Sequence, residues 1–265
     1  MGLLYATTNL LTVSTLTSVS TEDPTYVKEN LYNRRPSYPM RFTAKSNCAI
    51  NINLLAATHV TFAAIFNHNF TVTPTIALTA GTSSACANFT ASPAFAVVTN
   101  FNDCFIKPNT GVTDYQYWKL NVTAASNPYN LEIGEFFLGT YSSFTSAIKI
   151  RIDQSDGPEY WMAKQKTYYG QDWTSYFSYN EHFSLTLTNV NTSRSAVDEV
   201  ALFLKTVQQA GGRFVLVPND SYPFVYYCTI DNLGDYATAQ ILKNNDVRDW
   251  KLEITTLTKG ISLLG

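Results

Sequence analysis

Three histidines, His59, His68 and His182, are the imidazoles with which this chain could move a proton or hold a metal. Either task needs a partner within reach: a nucleophile, an orienting carboxylate or further ligands. His68 lies in the stretch Phe66-Asn67-His68-Asn69-Phe70, directly after the apolar run Val60 to Ile65. His59 stands nine residues earlier. An intervening strand of about eight residues, at ~3.3 Å each, places the two rings at opposite ends and too far apart to share an ion. His182 is remote in sequence, and neither G-x-S-x-G nor H-E-x-x-H occurs. His68 is therefore expected to be structural, its ring donating to a backbone carbonyl at the exit of a central strand while Asn67 or Asn69 closes the turn.

Two further groups could carry chemistry. Glu132 and Glu135 invite comparison with a glycosidase pair, which needs two carboxylates facing one bond. At a spacing of three on a strand they point to opposite faces unless Gly134 carries a bulge, so solvated strand positions are expected. Arg34, Arg35 and Arg41 cluster with Tyr38 and Phe42 in RRPSYPMRF. Such a loop can stack a ring on a sugar while guanidinium groups donate to hydroxyls, or can pair with a neighbouring strand or another subunit. These five residues are the candidate glycan or subunit contacts. No catalytic constellation emerges, and neither an enzyme activity, a cofactor nor a metal site is expected.

Composition narrows the classes. The chain has 265 residues, 45% of them hydrophobic, with only 14% charged and a net charge of −2. That balance lacks the basic footprint of a nucleic-acid binder. Seventeen Tyr and sixteen Phe supply ample area for a core despite the scarcity of charge. The opening MGLLYATTNLLTV lacks a basic n-region and a long apolar core, and no apolar run approaches the ~20 residues that span a bilayer. A soluble product made in a cytoplasm is expected, with no membrane partner. Cys48, Cys86, Cys104 and Cys228 form no C-x-x-C pair, and free, mostly buried thiols are expected.

The elements that must position these residues read as strands. In Ala49–Leu54, Ile50, Ile52 and Leu54 share one face and the asparagines take the other. Trp118, Leu120 and Val122 alternate in the same way with Lys119 and Asn121, which makes Trp118 a structural residue. LEIGEFFLG is a strand interrupted at Gly134, where a bulge is expected. IKIRID, FSLTLTNV and WKLEITTL alternate too, with turn clusters between them. One segment departs from this pattern. Val197, Val200, Ala201, Leu204 and Val207 form a helical stripe near 195–210, with Ser195 as N-cap, Asp198 and Glu199 in the first turn, and Gly211-Gly212 as the stop. An all-β chain in two units follows, 1–150 and 151–265, the second carrying the helix.

The order of motifs over about residues 10 to 140 resembles the discoidin-like (galactose-binding-like) jelly-roll modules found in tail proteins of tailed bacteriophages. The matching residues are Asn30-Leu31, Arg35-Pro36 with Arg41, His68-Asn69, Tyr117-Trp118-Lys119, Ile133-Gly134 and Phe137-Leu138-Gly139. The second half is similar, more loosely, to the β-barrel region of minor tail or baseplate proteins, through the helix, Gly211 to Asp220 and Trp250-Lys251-Leu252-Glu253-Ile254. This resemblance implies a jelly-roll sandwich followed by a barrel or sandwich domain. It implies a structural virion protein of the tail tip, baseplate or a fibre attachment point, made in the host cytoplasm. Its partners would be other tail proteins and further copies of itself in a ring. The alternative function is carbohydrate binding that docks the virion to a host glycan.

Overall fold

The computed structural model describes residues 3–70, 74–91, 103–106, 114–144, 148–154, 159–166, 172–188, 194–218, 225–233, 249–257 and 259–260. In chain order the first strands are β1 (Leu4–Ala6), β2 (Leu16–Val19), β3 (Met40–Arg41), β4 (Cys48–Thr58), β5 (Phe62–Phe66), β6 (Thr75–Gly81) and β7 (Phe89–Thr90). There follow β8 (Cys104–Ile106), β9 (Tyr115–Thr123), β10 (Glu132–Ile133), β11 (Glu135–Gly139), β12 (Ser142–Ser143) and β13 (Lys149–Gln154). The remainder comprises β14 (Glu159–Lys166), β15 (Asp172–Asn180), β16 (His182–Thr188), the helix α1 (Arg194–Gln209), β17 (Arg213–Val217), β18 (Tyr226–Ile230), β19 (Asp249–Thr256) and β20 (Lys259–Gly260). Among the described residues the fold is all-β with one α-helix and a short 3-10 turn at Lys28–Leu31.

Two compact units divide it. The first contains residues 8–141 and 220–225, the second residues 1–7, 142–219 and 226–265. The N-terminal strand, which the sequence places in a first unit of 1–150, pairs in the second: Leu4, Tyr5 and Ala6 face Val217, Leu216 and Val215.

In the first unit a five-stranded antiparallel sheet runs β2-β4-β9-β6-β7. Its register lines up Ile50, Leu120 and Leu78 in one row and Ile52, Trp118 and Ala80 in the next. Period two sends all six inward, where they are buried against Ala63, Ile65, Phe136 and Leu138 of a second layer ordered β11-β5-β8. This is a β-sandwich whose core is the facing pair of apolar stripes. Trp118 is fully enclosed and donates its indole N–H to the Tyr115 carbonyl at 3.2 Å. That bond removes the cost of burying a polar tip with the ring.

The second unit is built on a seven-stranded antiparallel sheet, β12-β1-β17-β18-β19-β16-β13. Phe183, Leu185 and Leu187 stand opposite Ile254, Leu252 and Trp250. The helix lays Val200, Phe203, Leu204 and Val207 on this apolar face, and Phe203 packs edge-on against Phe214 at 5.5 Å. A smaller sheet, β14-β15-β20, completes the strands described in this unit.

The helix departs from expectation at its start. It already includes Arg194, so Ser195 lies inside it rather than capping it, and Asp198 and Glu199 follow its first turn. Its end is the glycine pair: Gly211 and Gly212 have φ of 73° and 79°, and the Gly212 N–H donates to the Val207 carbonyl at 2.9 Å. That is the six-to-one closure, for which a left-handed residue is needed at Gly211.

Cys48, Cys86 and Cys228 are buried thiols outside any disulfide, whereas the Cys104 side chain falls outside what is described. Burial pushes the Cys48 and Cys86 thiols up, against the opposing pull of Lys119 on Cys86. Little thiolate is then present near neutral pH. Alkylation of the native chain by iodoacetamide, mapped by mass spectrometry, is expected to spare Cys48 and Cys86 at pH 7 and to label both after denaturation. In the helix, Leu204→Ala is expected to cost about 2–5 kcal/mol in urea unfolding. Leu202→Ala, at a side chain 63% exposed, is expected to stay within about 0.5 kcal/mol.

Candidate functional site

The residues singled out in RRPSYPMRF are organised by a step in the chain at Gly134. Before it, β10 pairs with β3, placing Glu132 opposite Arg41 and Ile133 opposite Met40. After it, β11 pairs with β5, from Glu135 opposite Phe66 to Gly139 opposite Phe62. The expected bulge is instead a break between two strands that belong to different sheets. Gly134 is needed there for space: a Cβ would lie 2.1 Å from the Pro36 carbonyl oxygen and 2.9 Å from the Asn67 Cβ. The Gly134 N–H donates to the Phe66 carbonyl at 2.9 Å, and the Asn67 amide donates to the Pro36 carbonyl at 2.7 Å. The turn after β5 and the 33–38 loop are thus pressed together over a residue without a side chain.

Behind this contact sits Glu135. Solvated strand positions were expected for both glutamates, yet Glu135 is 0% exposed. Its Oε2 accepts the Arg34 backbone N–H at 2.9 Å, where Arg34 holds a left-handed φ of 62°. The continuous apolar run Phe136-Phe137-Leu138 after Glu135 is the signal for a strand buried on both faces, and it claims the carboxylate too. Glu132 is half-buried and paired: its Oε1 accepts from the Arg41 Nε at 2.5 Å, with Nη2 also at 2.5 Å. The Arg41 guanidinium lies over the Tyr26 ring, 3.9 Å from its centroid. Burial opposes its charge, but the hydrogen bond and charge of Glu132, helped by Tyr26 and Asp23, outweigh that and raise its pKa. Both carboxylates are therefore committed to holding the chain.

Of the five candidate contact residues, the structure leaves three at the surface. Arg34, Arg35 and Tyr38 are exposed, Tyr38 by 65%. Arg41 is turned into its ion pair. Phe42 is 0% exposed and belongs to the core, which corrects its assignment as a contact residue. Period two already contained the reason: Met40 and Phe42 share a face, and Arg41 takes the other. The loop itself is closely tied. Asn33 Oδ1 accepts the Arg35 N–H at 2.7 Å, the Tyr38 N–H donates to the Arg35 carbonyl at 2.8 Å, and Asn30 donates to the Pro39 carbonyl at 3.1 Å.

The residues expected to be structural sit nearby. His68 is 1% exposed and stacks on Phe70 with centroids 4.4 Å apart. Its Nδ1 accepts the Phe70 N–H at 3.3 Å. Where a donor to a carbonyl was expected, this nitrogen is an acceptor, because the chain turns back so tightly that a backbone N–H is the group presented to it. Asn69 replaces a strand partner with its side chain. Its Oδ1 accepts the Glu132 N–H at 2.9 Å and its Nδ2 donates to the Asn130 carbonyl at 2.7 Å.

The other histidines have partners that sequence spacing did not bring together. His59 Nδ1 lies 2.9 Å from Asp114 Oδ1, both side chains about half exposed. Such a surface pair contributes about 0–1 kcal/mol. His182 Nδ1 lies 2.8 Å from the Thr255 hydroxyl, which also donates to Asp231. Among the described residues no three His, Cys, Asp or Glu gather to hold a metal ion, and no helix is long and apolar enough to cross a membrane.

No protein-family model matches the chain, and no curated protein matches it. Among solved structures it is similar to one titled CBM62 from Clostridium thermocellum Xyl5A, with a TM-score of 0.36 and 10% sequence identity over 48% of this chain and 97% of that one. The step at Gly134 is testable on its own. Gly134→Ala is expected to destabilise the chain by about 2–3 kcal/mol in urea unfolding, since the atoms in the way are backbone.

Proposed function

We propose that this chain is a non-catalytic interaction protein that joins a larger assembly through the exposed 33–38 loop. The observation that carries this reading is the presentation of Arg34, Arg35 and Tyr38 at the surface by a loop anchored from behind on Glu135, Asn67 and Asn33. Arg and Tyr are enriched in the energetic centres of protein interfaces, and a loop ordered in advance loses little entropy on docking. The resemblance of residues 10 to 140 to tail modules supports a place in the tail tip or baseplate of a tailed bacteriophage, with copies of the chain arranged in a ring. Glycan docking at this same loop is less well supported, because with Phe42 in the core Tyr38 is the one exposed ring among the five candidates.

Sedimentation velocity of the purified full chain tests the reading. A closed oligomer is expected, and replacing Arg34, Arg35 and Tyr38 together by Ala is expected to weaken association at least tenfold, about 1.4 kcal/mol or more. The secondary structure of the variant is expected to stay unchanged, as the three side chains are exposed. A chain that remains monomeric, or a variant that associates as well as the parent, would overturn it.

A further inference from the structure

On the outer face of the five-stranded sheet of the first unit lies a groove of about 350 Å³, formed by β2, β4, β9 and the loop after β6. Its polar lining comes from Thr17, Ser18, Asn51, Asn53, Ser84 and Tyr117, and none of the residues lining it carries a charge. The floor follows from period two. With Ile50, Ile52 and Leu54 turned inward, Asn51 and Asn53 face out from β4, and Tyr117 faces out from β9 directly opposite Asn53.

The hydrogen bonding within the chain fixes what these groups can offer. Asn53 Oδ1 accepts two bonds, from the Leu55 N–H and from Gln116 Nε2, each at 2.9 Å. Both of its lone pairs are used, so the side chain is set with its NH₂ as donor. Asn51 adds an acceptor. One of its amide protons goes to the Ser18 hydroxyl at 3.1 Å, which leaves Oδ1 as acceptor beside the second amide proton. A donor and an acceptor thus stand two residues apart on one strand, ~7 Å along it, with a phenol ring beside them.

The wall is equally specific. Gly81 is the residue of β6 opposite Tyr117. A Cβ on it would meet Asn88 Oδ1 at 2.8 Å and Cys86 Cα at 3.0 Å, so the 82–88 loop descends onto the sheet beside the tyrosine. Asn88 Oδ1 accepts the Thr82 N–H at 3.1 Å, and the Asn88 N–H returns to the Ala80 carbonyl at 3.1 Å, which holds the wall in place. Cys86, at its foot, takes a left-handed φ of 52°.

We infer that this groove is a binding site for a neutral carbohydrate, one or two pyranose rings of a glycan. The apolar face of a sugar ring matches the Tyr117 ring. Its hydroxyls, each both donor and acceptor, match a fixed donor at Asn53 and a fixed acceptor at Asn51. No lining residue is charged, but Lys119 stands opposite Asn51 on the same face, so an acidic sugar is the control for the preference for a neutral one. A peptide strand would add to a sheet edge, not to its face. The volume is at the lower end of the ~300–1,000 Å³ usual for ligand sites, which suits a small polyol. This site does not depend on the 33–38 loop, and the two can fail separately.

The test is protein-observed NMR on the full chain, labelled at its side-chain amides. Methyl β-glucoside, methyl β-galactoside and N-acetylglucosamine serve as neutral probes and glucuronate as the anionic control. At least one neutral sugar is expected to move the Asn51 and Asn53 NH₂ signals with a Kd of about 1 mM. Tyr117→Ala is expected to weaken binding at least tenfold. Asn51→Ala, which removes the side-chain bond to Ser18, does the same if the tyrosine variant fails to fold. The double variant R34A/R35A is expected to bind as the parent does. Silence at Asn51 and Asn53 with all three neutral sugars, binding of glucuronate alone, or loss of binding in R34A/R35A would each overturn the assignment.

Discussion

The first unit depends on one close approach. At Gly134 the chain passes from a two-stranded pairing with β3 to the buried second layer of the sandwich, and the Pro36 carbonyl occupies the space a side chain would need. The contact works because every backbone polar group that it crowds has a partner: Gly134 on Phe66, Pro36 on Asn67, Arg34 on Glu135. A carboxylate buried against a backbone N–H is costly unless it is satisfied, and charge-assisted bonds of this kind are among the stronger ones. The loop that displays Arg34, Arg35 and Tyr38 is therefore a product of the interior.

Both sheets show the same economy in the use of side chains for backbone work. Asn9, Asn33, Asn53, Asn67, Asn69, Asn88 and Asn127 each bond a main-chain group where strands end or loops cross. Short amides can mimic a turn or a missing strand partner, which explains how a chain with few charges closes so many irregular connections. In the second unit the helix serves a different end. It covers one face of a wide antiparallel sheet whose inner rows, Phe183 to Leu187 and Trp250 to Ile254, would otherwise meet water.

Much of this was legible in the sequence, and the exceptions have physical causes. Alternation in Ala49–Leu54 and Trp118–Val122 specified both the strands and their inner face, because a one-residue slip would expose every apolar side chain. The glycine pair after the helix was legible because few residues take two successive left-handed positions. Phe42 was misplaced because it was grouped with nearby arginines, although its period-two partner is Met40. Glu135 was misplaced because a lone carboxylate in a strand normally means solvent, and the Arg34 N–H that bonds its Oε2 lies a hundred residues earlier. The pairing of β1 with β17 joins segments some two hundred residues apart, and no local pattern encodes such a partner. The asparagines facing out of β4 were visible as a stripe, but the wall over Gly81 that makes a groove of them was not.

The position of β1 also bears on biosynthesis. Its two neighbours in the sheet are β12 and β17, so a nascent chain that has just made Leu4–Ala6 has nothing for them to pair with until Ser142–Ser143 and then Arg213–Val217 leave the ribosome. At about 5–20 residues per second, that is a wait of roughly 10–40 s. Within that interval residues 8–141 of the first unit are translated. Vectorial synthesis therefore favours forming the sandwich between these segments first, with β1 sealed into its sheet only once β17 has been made.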